Sequence, residues 1–175
     1  MQESDIRTFL IAEAFRFIDR AVVLPGIRRI AMIGSLTSAK RDPKDVDILL
    51  TVDEDADLTA LATAARKLKG AAQTRNKGAD VFLANPSGQY IGRICQWREC
   101  GPGIRASCDA HHCGQRHFLH DDLDDINLDS NVVMNPPVEV WPTVVYHQEA
   151  ARDLLPYLSR FRSNEERLSD HEASE

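Results

Sequence analysis

The chain has 175 residues, 43% of them hydrophobic, which is enough for one domain with a real core and too little for a second full one. Its net charge of -6 provides no basic field to draw in long duplex DNA. No run approaches the roughly 18 continuous apolar residues of a membrane span, and Glu3 and Asp5 stand where a signal peptide carries basic residues, so the expectation is a soluble, cytoplasmic protein.

Ile6, Phe9, Leu10, Ala14, Phe17, Ile18 and Ala21 recur at helical spacing and predict an amphipathic helix over 5–22, with Ser4 as a cap. Pro25-Gly26 turns the chain into a strand over 29–33, followed by a short helical or loop segment over 35–41 and a second strand over 46–52. Asp57 is placed to cap a helix carrying Leu58, Leu61, Ala62, Ala65 and Leu68, with Gly70 where a C-terminal glycine belongs. A third strand is expected over 79–84. After the turn Asn85-Pro86-Ser87-Gly88, residues 90–97 are expected to pair back as a hairpin strand. One more strand is expected at 138–141, then a C-terminal helix carrying Val144, Val145, Ala151, Leu154, Leu155, Leu158 and Phe161, which Pro156 should kink or split. The charged, small-residue tail over 163–175 reads as disordered, leaving 1–162 as a single domain of α/β (α+β) class.

The chemistry concentrates between the first two strands. Ile33-Gly34-Ser35 ends an apolar run in a turn, and Asp45-Val46-Asp47-Ile48 opens the next strand with two carboxylates one residue apart. Alternate strand residues share a face, so Asp45 and Asp47 present their oxygens together while Val46 packs inward. Paired carboxylates suit Mg²⁺, which binds through one or two of them plus substrate phosphates. Gly34 permits close backbone approach, Ser35 offers a hydroxyl, and amides at a helix N-terminus attract phosphate.

In these residues, together with Asp80 in Ala-Asp-Val-Phe-Leu-Ala, the chain resembles the DNA polymerase β-like nucleotidyltransferase superfamily and its minimal members, over roughly residues 5–95. The resemblance implies a small core with a mixed β-sheet and helices packed on one face. It also implies transfer of a nucleoside monophosphate from a nucleoside triphosphate to a hydroxyl acceptor by two Mg²⁺ ions held by Asp45, Asp47 and Asp80, the catalytic residues. Gly34, Ser35 and Lys44 would bind the nucleotide, with Lys40 and Arg41 as further cations near the triphosphate. The acceptor, a protein, RNA or small molecule, is left open. Minimal members often work beside a helical partner protein, and a homodimer would serve the same purpose.

A second constellation lies outside that pattern. Cys95, Cys100, Cys108 and Cys113 are the only cysteines, with His111, His112, His117 and His120 interleaved, in a loop insertion over 95–120. In a cytosolic chain such clustering points to structural Zn²⁺. Free or packed cysteines and two disulfides in an exported protein are the alternatives. The four cysteines would close a zinc site; if Cys95 instead faces the core, His112 or His117 completes it. Arg93, Arg98, Arg105 and Arg116 could contact phosphate, or could pair with the acidic run Asp121, Asp122, Asp124, Asp125 and Asp129, itself read as a solvated face or helix cap. Two other functions fit the same residues. One is a catalytically inactive nucleotidyltransferase-fold module that binds RNA or a protein partner through the zinc loop; the other is a zinc hydrolase or nuclease using the Cys/His residues.

Overall fold

A computed structural model describes residues 3–100, 116–120, 123–147 and 149–162, with side chains from residue 6 onward. Cys108, Cys113, His111, His112, Arg105, Asp121, Asp122 and the tail over 163–175 lie outside the described residues.

The elements are α1 (Glu3–Ala21), β1 (Ile27–Ile33), β2 (Asp45–Val52), α2 (Thr59–Gln73), β3 (Gly78–Ala84), β4 (Tyr90–Ile94), β5 (Leu119–His120), α3 (Ser130–Met134), β6 (Val138–Trp141), β7 (Val145–Tyr146) and α4 (155–162). A 3-10 turn, Gly34–Thr37, leaves β1. The strands form one sheet in the order β5-β4-β3-β2-β1-β6-β7. β2 and β3 are parallel, because α2 carries the chain back across the sheet between them, and the other neighbours are antiparallel. This is a mixed sheet with its two long helices, α1 and α2, packed on one face.

Strand alternation sorts the two faces. Ile30, Met32, Val46, Ile48, Leu50, Val81 and Leu83 point at α1 and α2 and form the main core with Leu10, Phe17, Ile18, Leu61 and Leu68, all essentially inaccessible. Each such side chain stabilises the fold by ~1.5–3 kcal/mol. Ala31, Ile33, Leu49, Phe82 and Ala84 point the other way, where Tyr90 and Val133 of α3 cover them in a smaller second cluster. Asp129 caps α3, accepting a hydrogen bond from the Asn131 amide at 2.7 Å, so the acidic run does supply a helix cap.

Several boundaries differ from expectation. α2 continues past Gly70 to Gln73, since the glycine faces open space and nothing forces the helix to stop there. β4 ends at Ile94 rather than continuing to 97; Gln96 leaves the ladder and its side-chain amide donates to the Ala79 carbonyl at 3.0 Å. The single C-terminal helix is replaced by β7, where Val145 pairs with Glu139, and by α4. Pro156 is the second residue of α4, where its missing N–H costs nothing, so it begins the helix instead of kinking one. No described helix is long and apolar enough to cross a membrane.

Candidate functional site

β2 and β3 run in parallel register, with Asp45 opposite Gly78 and Asp47 opposite Asp80. In-register neighbours on adjacent strands project to the same side, and such strands lie ~4.8 Å apart. The alternation that sends Val46, Ile48 and Val81 to the helices therefore places Asp45, Asp47 and Asp80 together on the opposite face, at the polar end of the Leu49 and Phe82 patch.

Two glycines shape the floor. Gly34 has φ +71°, and a Cβ there would overlap Asp47 Oδ2. Gly78 holds the same relation to Asp45: a Cβ would overlap Asp45 Oδ1. Each carboxylate of the Asp-Val-Asp pair thus lies against a residue with no side chain. Gly78 carries a signal in the sequence, standing two residues before Asp80 on the same strand face, but it becomes meaningful only once the β2–β3 register is known.

Burial, and then the negative charges of Asp45 and Asp80, push the Asp47 carboxyl up to about 6. Asp80 is engaged from the next strand: Arg93 of β4 donates to its Oδ1 at 3.1 Å. Among the described residues no group of three or more His, Cys, Asp or Glu side chains is arranged so that it could hold a metal ion. The three aspartates share a face and a field rather than a fixed cage. Their donor atoms are all carboxylate oxygens, the kind a hard divalent cation prefers, and burial followed by the charges of Asp45 and Asp80 makes the ionised form of Asp47 costlier than that of a free aspartate.

The Gly34–Thr37 turn is 3-10 and only four residues long, with Leu36 and Thr37 buried, so it offers no extended helix dipole. Thr37 Oγ1 donates to the Gly34 carbonyl at 2.7 Å and Ser38 Oγ to the Ser35 carbonyl at 3.1 Å, with Ser35 half-buried next in the chain to Gly34. Lys44 is exposed just before β2, where its charge helps hold the Asp42 carboxyl below its usual range, after the larger contributions of Lys77 and Lys40.

Arg7 of α1 is the positioning residue that sequence reasoning passed over. It is 7% exposed, and its guanidinium donates to the carbonyls of Leu36 (3.0 Å) and Lys40 (2.9 Å) and to both oxygens of Asp153 (2.6 and 3.0 Å). It fixes the segment between Gly34 and the Asp-Val-Asp strand. An arginine three residues before Leu10 and seven before Ala14, on the apolar stripe of α1, was the available signal.

In the cysteine region, Cys95 is packed in the main core, its amide donating to the Phe118 carbonyl at 2.6 Å. Cys100 is half-buried, its sulfur accepting from the Phe118 amide at 3.4 Å, and His117 Nδ1 lies 3.0 Å from the Cys100 carbonyl oxygen. Neither cysteine is in a disulfide. Arg116 donates to the carbonyls of Ala56 (2.6 Å) and Asp53 (3.4 Å), and Arg98 is exposed.

Comparison with family models, curated proteins and solved structures gives no match to this chain.

Proposed function

We propose that the chain is a nucleotidyltransferase that moves a nucleoside monophosphate from a nucleoside triphosphate to a hydroxyl acceptor. The observation that carries this reading is the in-register pairing of Asp47 with Asp80 on parallel strands, with Asp45 on the same face and Gly34 against Asp47. Solvated strand ends do not require a positive-φ glycine packed on one carboxylate and a second glycine on its neighbour.

Asp45 and Asp47 would hold one Mg²⁺, and Asp80 would share a second with them. These ions would stabilise the entering and leaving oxygens of an in-line displacement. Gly34 makes room for the Asp47 carboxylate, and the Ser35 hydroxyl would donate to a phosphate oxygen. Lys44, Lys40 and Arg41 supply positive charge on the approach. Asp80 would take the acceptor proton as the hydroxyl oxygen bonds to the α-phosphorus and pyrophosphate leaves. Arg93 beside it can bind an anionic oxygen.

The same proposal includes a structural Zn²⁺ in the 95–120 insertion. With Cys95 given to the core, Cys100, Cys108 and Cys113 would be the thiolate ligands and His112 or His117 would supply the fourth. A reducing cytoplasm is the compartment that suits those thiolates.

The test is transfer of label from α-³²P nucleoside triphosphates with Mg²⁺ or Mn²⁺ into host lysate, using wild type and Asp47→Ala. Label in an acceptor band with wild type alone supports the reading. Equal labelling by the folded variant, or none with any nucleotide, overturns it. A non-catalytic binding module is the second reading, favoured by the Arg93 ion pair that occupies Asp80. It predicts that Asp45→Ala and Asp47→Ala leave the protein's function unchanged.

A further inference from the structure

A cleft of about 480 Å³ opens where β3 begins and β4 ends, between those strands and the C-terminal half of α2. Arg66 and Lys69 of α2, Arg93 of β4 and His120 of β5 line it, with Trp97 at its mouth and Asp80 on its wall. In a chain of net charge -6 this is a local inversion: three permanent cations and an imidazole line the cleft against one carboxylate, and Arg93 is paired with that carboxylate. Trp97 is 76% exposed, a large apolar surface that a folded chain ordinarily covers. Arg66 donates to the Trp97 carbonyl at 2.8 Å, tying the backbone of that residue to α2 at the rim of the cleft.

The position of the cleft relative to the carboxylates assigns its role. Gly34 and Ser35 lie on the β1 side of Asp47, whereas the cleft lies on the β3–β4 side and meets the three aspartates only at Asp80. We propose that this cleft takes the 3′-terminal nucleotide of a single-stranded polynucleotide, phosphate against Arg66, Lys69 and Arg93 and base stacked on Trp97, with its 3′-hydroxyl directed at Asp80. This assignment deepens the nucleotidyltransferase reading and rests on it for the word acceptor. The volume lies in the ~300–1,000 Å³ range of small-molecule sites, which suits a chain end rather than a long tract. Cations with one exposed aromatic form the minimal single-strand binding set, since every base has a face to stack. In the reaction the 3′-oxygen forms the new bond to the α-phosphorus, its proton passes to Asp80, and the bond to pyrophosphate breaks.

The experiment is fluorescence anisotropy of 5′-fluorescein decamers, one ribo and one deoxyribo, with the full chain and no nucleoside triphosphate. Wild type should bind at least one of them, and the ribo and deoxyribo arms decide which sugar is accepted. Trp97→Ala and Lys69→Ala should each weaken binding by about fivefold or more, and Trp97→Phe should retain it. The salt dependence should flatten by about 0.7 in log-log slope when Lys69 is removed. Unchanged thermal melts would show that the variants fold. Wild-type affinity in both alanine variants, no binding by wild type, or equal competition by a phosphoserine peptide of the same charge would overturn the proposal. Labelling of a protein acceptor without oligonucleotide binding would sink the subsite and spare the transferase. Cleft-dependent binding with no transfer would do the reverse.

Discussion

The carboxylate of Asp47 rests against the bare Cα of Gly34, which adopts φ +71° at the end of β1. Ile33, the residue before, pairs with Asp47 across the β1–β2 ladder, so the turn and the carboxylate are fixed by one register. Gly34→Ala should therefore act twice. The left-handed backbone costs a non-glycine residue ~1 kcal/mol or more, and the new methyl must displace Asp47 Oδ2. The expected result is a modest fall in melting temperature with a loss of transfer well over tenfold. Wild-type labelling kinetics in the variant would show that the contact is incidental.

Asp47 gives a pH signature. Its carboxyl is pushed up to about 6 in the folded chain, against the ordinary 3.8 of an aspartate. Between those values the unfolded state has released the proton that the folded state keeps, so stability falls as pH rises through this window and levels off above it. The contribution is on the order of 2–3 kcal/mol. Asp47→Asn removes the titration, so the variant should be more stable than wild type at pH 8 and close to it at pH 3.5, while losing transfer. Mg²⁺ should raise the wild-type melting temperature more at pH 8 than at pH 5 and have little effect on the variant. Thermal melts across pH, with and without Mg²⁺, check both statements.

Gly78 separates geometry from stability. Its backbone is not in the left-handed region, and the atom that a Cβ would meet is Asp45 Oδ1, the end of a side chain that can rotate away. Gly78→Ala should leave the melting temperature within a few degrees of wild type and weaken Mg²⁺ binding and transfer by about tenfold or more, as an ångström-scale misplacement does. Isothermal titration with Mg²⁺ beside a thermal melt decides it. Unaltered Mg²⁺ affinity would mean that Asp45 is not a ligand.

The α1, β1, β2, α2 and β3 elements were legible because each carries one unbroken period, and Asp45, Asp47 and Gly34 were legible because they lie within a few residues of a strand end. Asp80 could be named from its strand, but its pairing with Asp47 needed the register that α2 imposes. The rest depended on distant contacts. Pro156 was read as a break inside a helix, but the chain before it pairs with β6, and the proline stands at a helix start. Cys95 sits one residue beyond β4, and only its place in the main core, hydrogen-bonded through its amide to the Phe118 carbonyl, shows that it is buried. The cleft beside Asp80 draws on α2, β3, β4 and β5, and no local pattern announces it.

Arg7 is the most distant device that supports the site. One buried guanidinium holds the carbonyls on both sides of the segment linking the glycine turn to the Asp-Val-Asp strand, and Asp153 balances its charge from the other end of the chain. Arg7→Met keeps much of the side-chain volume but leaves the Leu36 and Lys40 carbonyls without these donors, which should cost ~2–4 kcal/mol. In a chain of this size that is a fall of roughly 5–15 °C in melting temperature. Asp153 is nearly half exposed, and its amide would still accept a hydrogen bond, so Asp153→Asn should cost only about 1 kcal/mol. The readout that a merely structural arginine would not move is the split between rate and affinity. Below its own melting point, Arg7→Met should lower the rate of nucleotidyl transfer while oligonucleotide binding in the Trp97 cleft stays unchanged, because the loosened segment lies on the β1 side of the carboxylates. Parallel loss of both would assign Arg7 to the stability of the whole fold.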